Sequence, residues 1–202
     1  MQQVNAAALV GIHAHALIAS GMRRMAPNSA QSTGTVRWDR ITPNSAQLRE
    51  QALSIAREAF RVLKENGWTV ESVEEWVGNK EAHGIYDLRA WHTEKGEAII
   101  DLKTGHQLHG AWLQVGGYIR LLSDESGVRP AVNHGGILHI PRQPITKDPK
   151  GSLTMRSAGQ LSDAYDRVQD RVLDVLKGER PIMTPGSHCR RCTLSTCPVR
   201  EE

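Results

Sequence analysis

Between Val70 and Lys103 the apolar spacing of the chain changes from helical to strand-like. Val70, Val73, Trp76 and Val77, then His83 to Trp91, then Glu97 to Lys103 read as three short strands, separated by the turn-like Gly78-Asn79-Lys80 and Glu94-Lys95-Gly96. The flanks keep helical spacing. Upstream, Ala8, Gly11, Ile12, His15, Ala19 and Met22 share one face of a helix from about Gln3 to Met22, with His15 facing inward. A second helix, capped by Asn44 or Ser45, carries Leu48, Ala52, Ile55, Ala56, Ala59 and Leu63 and stops at Gly67. Downstream, a helix from about Leu108 to Ser123 has Trp112, Val115, Ile119 and Leu122 on its apolar side, and Val132 to Ile140 is a fourth strand ended by Pro141. After a charged loop to Gly151, Leu161, Ala164, Tyr165, Val168, Val172, Val175 and Leu176 mark a last helix closed by Gly178. Strands clustered in sequence, with a helical crossover to the last of them, predict an α/β fold with a central mixed sheet flanked by helices.

With 202 residues the chain suffices for one core, so the expectation is a single domain over residues 1–202 with a cysteine-rich tail at 186–202. Its 39% hydrophobic and 23% charged residues exclude a disordered or fibrous chain. The net charge of +3 is compatible with a polyanionic partner but too small to specify one. Val4 to Gly21 is apolar, yet it lacks a basic start and is interrupted by His13 and His15, so it reads as a helix rather than a secretory leader. No other stretch approaches a membrane-spanning length, and the expectation is a cytoplasmic protein without a membrane partner. Pro-Asn-Ser-Ala-Gln occurs at Pro27 and at Pro43, too little for a repeat architecture.

Asp101-Leu102-Lys103 ends the apolar run Ala98-Ile99-Ile100, so Asp101 and Lys103 share one face at period two while Leu102 points the other way. Phosphodiester hydrolysis calls for a divalent ion, and Mg²⁺ prefers carboxylate and carbonyl oxygens at about 2.0–2.1 Å. Asp101 and the Leu102 carbonyl can supply such oxygens, and Lys103 can orient the nucleophile or stabilise developing charge. Asp87 offers a second carboxylate from the neighbouring strand, brought beside Asp101 by antiparallel pairing about Lys95-Gly96. Asp-x-Lys alone says little: a chain of this length contains roughly one by chance, and Asp148-Pro149-Lys150 is another in a polar loop. His15 alone reads as a hydrogen-bonded core histidine, and Gln114 with Tyr118, at i and i+4, as a surface pair. Glu74 or Glu75 could add a carboxylate or simply charge an edge strand.

Order supplies the specificity. Gly84-Ile85-Tyr86-Asp87 followed by Glu97 to Gly105 resembles motifs II and III of the RecB-family PD-(D/E)XK nucleases, Gln114 to Tyr118 resembles their Q-x3-Y motif, and Gly11 with His15 their G-x3-H motif. The resemblance covers Gly11 to Tyr118 in the family's order and spacing. It implies a restriction-endonuclease-like core of order αβββαβ, with Asp87, Asp101, Lys103, Gln114 and Tyr118 as catalytic residues and His15, Asp87, Asp101 and the Leu102 carbonyl around Mg²⁺ or Mn²⁺. The implied activity is a DNA nuclease, exonuclease-like on single-stranded or end-containing DNA, working with a helicase, recombination or CRISPR integration partner. The competing reading is a non-catalytic nucleic-acid-binding or assembly module, against which stands the presence of both carboxylates and the lysine.

All three cysteines, Cys189, Cys192 and Cys197, lie in the last fourteen residues, which fits a metal site better than a disulfide framework. Cys189-x2-Cys192-x4-Cys197-Pro198 resembles the tail of the RecB-family subset that holds a [4Fe-4S] cluster, among them the AddB nuclease domain and CRISPR-associated exonucleases. Those relatives contribute a fourth cysteine before the first helix, and this sequence has none there. His188 as fourth ligand, or zinc instead of a cluster, remain alternatives.

Overall fold

The computed structural model describes residues 6–23, 46–79, 82–105, 110–126, 132–141 and 149–178. In chain order these form α1 (Ala6–Arg23), α2 (Ala46–Glu65), β1 (Thr69–Gly78), β2 (His83–His92), β3 (Gly96–Thr104), α3 (Ala111–Ser126), β4 (Val132–Ile140), β5 (Ser152–Ser157) and α4 (Ala158–Leu176). The expected helix cap at Asn44 or Ser45 and helix start at Leu108 lie outside the described residues.

The strands form one sheet in the order β1-β2-β3-β4-β5. Only β3 and β4 among them pair in parallel; every other neighbouring pair is antiparallel. A parallel pair needs a crossover, and α3 provides it. The expected mixed sheet flanked by helices is therefore present, with one strand more than the sequence suggested. Residues Ser152 to Ser157 follow the charged loop expected to end at Gly151, in a stretch to which the sequence assigned no element. This edge strand is mostly polar, and only Leu153 and Met155 lean on the core, so its apolar pattern is too thin to read.

Both faces of the sheet are covered. On one, Ala14 and Ile18 of α1 and Ile55 and Ala59 of α2 pack with Ala98, Ile100 and Leu102 of β3. On the other, Val115 and Ile119 of α3 and Leu161 of α4 pack with Ile99 of β3 and Tyr86 of β2. A central strand buried on both faces needs apolar side chains at every position, which is why β3 reads as a continuous run. α2 is tied to the start of β5 by Glu58, whose Oε1 accepts from the Gly151 amide at 2.6 Å and from Arg61 at 2.7 Å. The Arg61 guanidinium is the main reason the Glu58 carboxyl titrates below its usual range.

β1 and β2 do not alternate regularly. Val73 and Leu88 belong to the α1/α2 core, whereas Val77 and Tyr86 belong to the α3 core, although in each strand the two positions are an even number apart. The strand pair turns over between them. Paired positions run through Val73 and Leu88 and resume at Glu75 and Tyr86. The intervening Glu74 has φ 51, a left-handed backbone that costs a non-glycine residue on the order of 1 kcal/mol. Asp87 lies opposite it.

One apolar assignment is corrected: Ile12, expected on the inward stripe of the first helix, is 48% exposed. The chain divides into two compact units, Met1–Tyr165 and Asp166–Glu202; the last helix forms as expected, and in the second unit its Val168, Val172, Val175 and Leu176 are exposed. Among the described residues no helix is long and apolar enough to cross a membrane.

Candidate active site

Asp101 sits near the end of β3, 2% exposed, on the face turned toward α3. Lys103, two residues on, donates from Nζ to Asp101 Oδ1 at 2.9 Å. The ammonium is also 2.7 Å from Oδ2, but out of line for a hydrogen bond, so that oxygen is buried without a hydrogen-bond partner. Asp87 comes from β2. The β2–β3 ladder runs only as far as Leu88 and Ile100; beyond it, Asp87 Oδ2 takes the place of a backbone acceptor and receives the Leu102 amide at 2.7 Å.

His15 reaches the same carboxylate from α1, with Nδ1 3.7 Å from Asp87 Oδ1. Its position depends on Gly11 one turn earlier, because a Cβ there would lie 2.9 Å from Thr104 Oγ1 at the end of β3. The missing side chain lets α1 approach closely enough for residue i+4 to meet Asp87. From the other face, Lys103 Nζ donates to Gln114 Oε1 at 3.1 Å, and Gln114 Nε2 donates to Tyr118 Oη at 2.7 Å. Gly84 makes room for that tyrosine, since a Cβ would stand 2.6 Å from Tyr118 Cε1. The structure thus brings His15, Asp87, Asp101, Lys103, Gln114 and Tyr118 into one neighbourhood.

Burial pushes the Asp101 carboxyl up to about 6, and the charge of Asp87 adds to the shift while Lys103 opposes it. For His15, burial alone would disfavour the charged ring, yet attraction to Asp87 and Asp101 outweighs it and raises the imidazole above its ordinary value. Burial also raises the Tyr118 phenol. A carboxyl whose ionisation is disfavoured by burial and by a neighbouring carboxylate sits in a site that gains from a cation.

Whether these residues suit a hard divalent ion turns on Asp101 Oδ2. Among the described residues no three His, Cys, Asp or Glu side chains gather into a group able to hold a metal by themselves. Mg²⁺, however, is commonly bound through one or two carboxylates with its remaining positions filled by water and substrate phosphate. A buried carboxylate oxygen without a hydrogen bond, next to a second carboxylate, fits that mode.

Sequence reasoning missed two groups. His139 is the register partner of Lys103 on β4, and its Nε2 meets the Gly105 carbonyl just after β3. The Tyr86 hydroxyl donates to Glu75, which employs a carboxylate the sequence had left open. Neither had a motif to mark it; both depend on strand register. Cys189, Cys192 and Cys197 lie outside the described residues.

The sheet, its crossover helix and the acid–acid–lysine cluster define a restriction-endonuclease-like nuclease scaffold. The sequence matches the PD-(D/E)XK nuclease superfamily over residues 1–198, and the chain belongs to that superfamily. A crystal structure from Eubacterium rectale, of a protein bearing the name "Putative exonuclease", shares the fold with a TM-score of 0.56 at 15% identity, covering 98% of this chain and 79% of that one. A second solved structure, SSO0001, is also 15% identical over 93% of this chain and 85% of that one, but its TM-score of 0.30 carries no argument. No curated protein matches the sequence.

Proposed function

We propose that this chain is a divalent-metal-dependent deoxyribonuclease, exonuclease-like on single-stranded or end-containing DNA. The observation that carries the reading is the convergence of Asp87, Asp101 and the Lys103 ammonium where the ladder between β2 and β3 ends. Superfamily membership and the exonuclease naming of the Eubacterium rectale protein support it. Asp87 and Asp101 would hold Mg²⁺ or Mn²⁺. His15 and the Leu102 carbonyl are further donors. In an extended strand the amide and carbonyl of one residue point the same way, so the Leu102 carbonyl opens on the side where its amide meets Asp87. The ion, when bound, supplies Lewis-acid neutralisation of the phosphate and activation of water.

The remaining work falls to this chain's own groups. Lys103, steered by Asp101 and Gln114, donates toward the scissile phosphate or the attacking water. Gln114 holds the ammonium, and Tyr118 in turn fixes Gln114 by accepting from its Nε2. Purified protein with Mn²⁺ should cleave end-labelled single-stranded DNA, and Asp101→Ala and Lys103→Ala should each slow it by about 10²- to 10³-fold. Wild-type cleavage by both variants would refute the assignment. At the tail, Cys189, Cys192 and Cys197 have the spacing of soft thiolate ligands; metal content and the visible spectrum of anaerobically purified protein test [4Fe-4S] against zinc.

A further inference from the structure

Trp76 and Ile85 are 60% and 55% exposed, and they are cross-strand partners near the tip of the β1–β2 hairpin. The Trp76 indole stacks on the His83 imidazole, with ring centroids 6.4 Å apart and planes inclined by 21°. His83 and Ile85 are two residues apart and so share a face with Trp76. Gly84 and Tyr86 between and beside them face Tyr118 on the α3 side. The strip therefore lies on the opposite face, the one from which His15 approaches Asp87. The hairpin end is held by Asn79, whose amide donates to the Ala82 carbonyl at 2.8 Å and whose Oδ1 accepts from the Ala82 amide at 2.9 Å.

We propose that Trp76, with His83 and Ile85, is a stacking platform for the bases of a single-stranded nucleic acid whose backbone continues toward Asp87 on the face from which His15 approaches it. The inference deepens the nuclease reading and rests on it. A tryptophan this exposed contributes little to the core, and its stacked ring keeps a flat π-surface preorganised. Along β2, Ile85 is two residues and His83 four residues from Asp87, about 7 and 13 Å at strand rise, a few nucleotides from the cut. The strip itself carries no Lys or Arg, so its attraction is for base faces rather than phosphates. Only an unpaired strand presents those faces, since a duplex keeps them stacked inside.

Binding of a labelled oligothymidylate and of a duplex of equal length, measured by fluorescence anisotropy in EDTA, tests the platform in the full chain. Base stacking on one aromatic is worth about 1–3 kcal/mol, so Trp76→Ala should weaken single-strand binding by about 5- to 150-fold. Its salt dependence should not change, duplex binding should change far less, and Trp76→Phe should retain most of the affinity. An unchanged melting temperature of Trp76→Ala establishes that the fold is intact. No single-strand binding by wild type, equal affinities of wild type and Trp76→Ala, or equal losses on both DNA forms would overturn the proposal. So would self-association of wild type that Trp76→Ala abolishes, which would assign the strip to a second copy of the chain. Single-strand binding through Trp76 without any cleavage would leave the platform standing and remove the nuclease reading; cleavage indifferent to Trp76 would do the reverse.

Discussion

Replacing Asp101 by Asn should stabilise the metal-free protein while abolishing cleavage. Burial and the charge of Asp87 raise the Asp101 carboxyl from 3.8 to about 6. At 1.36 kcal/mol per pH unit, that is about 3 kcal/mol of preference for the neutral form in the fold over the unfolded chain. The residue is 2% exposed, so solvent screening takes little from this figure. Because the folded value lies above the unfolded one, the stabilisation is fully present below about pH 4 and lost as pH rises through about 6. Wild type at neutral pH therefore lacks it, whereas an isosteric neutral amide keeps it at every pH. In EDTA at pH 7.5 the variant should melt about 6–12 °C higher than wild type, at roughly 2–4 °C per kcal/mol for a chain of this size. The gap should open between pH 4 and 6 and then stay level. Mn²⁺ should narrow it by stabilising wild type alone, as a ligand of the folded state must. A variant no more stable than wild type at pH 7.5, or a gap that does not vary with pH, would refute the reasoning.

Two further perturbations probe the supports of the site. Gly84→Ala should cost about 1–3 kcal/mol in urea unfolding, because the added methyl meets the Tyr118 ring at 2.6 Å; adding Tyr118→Ala should recover part of that loss, and strict additivity of the two would count against the contact. Tyr86→Phe should lower stability by about 1–2 kcal/mol at unchanged m-value, since the buried hydroxyl serves Glu75 and lies 3.3 Å from Ser72 Oγ; an unaltered urea midpoint would show that hydrogen bonding to be energetically idle.

The parts of the site that were legible in the sequence are those set by short-range geometry. Period two along β3 places Asp101 and Lys103 on one face and Leu102 on the other, and the structure agrees: Leu102 packs in the α1/α2 core while Lys103 meets Gln114 of α3. Helical spacing likewise puts Gly11 and His15 on one face, and Gln114 and Tyr118 on another. What stayed hidden depends on partners distant in sequence. β5 is a strand because β4 offers it a ladder, not because its own pattern demands one. The apolar residues of α4 beyond Tyr165 carry helical periodicity and are nonetheless exposed, since periodicity records a stripe without saying what covers it.

The turnover at Glu74 and Asp87 was hidden for the same reason, and it matters most for the site. Strict alternation would send Tyr86 and Leu88 to the same face, yet they enter different cores. At that crossing Asp87 has no regular ladder partner in β1 and stands beyond the last β2–β3 pair. Its carboxylate can therefore turn into the plane of the sheet to receive the Leu102 amide and still face His15 on α1. A residue in unbroken alternation would point squarely to one face and could not serve both. The left-handed backbone at Glu74 is thus the local cost of bringing a carboxylate from one strand to the main chain of the next, and Asp87 meets the Leu102 amide because β2–β3 pairing has stopped there while β3 stays paired with β4.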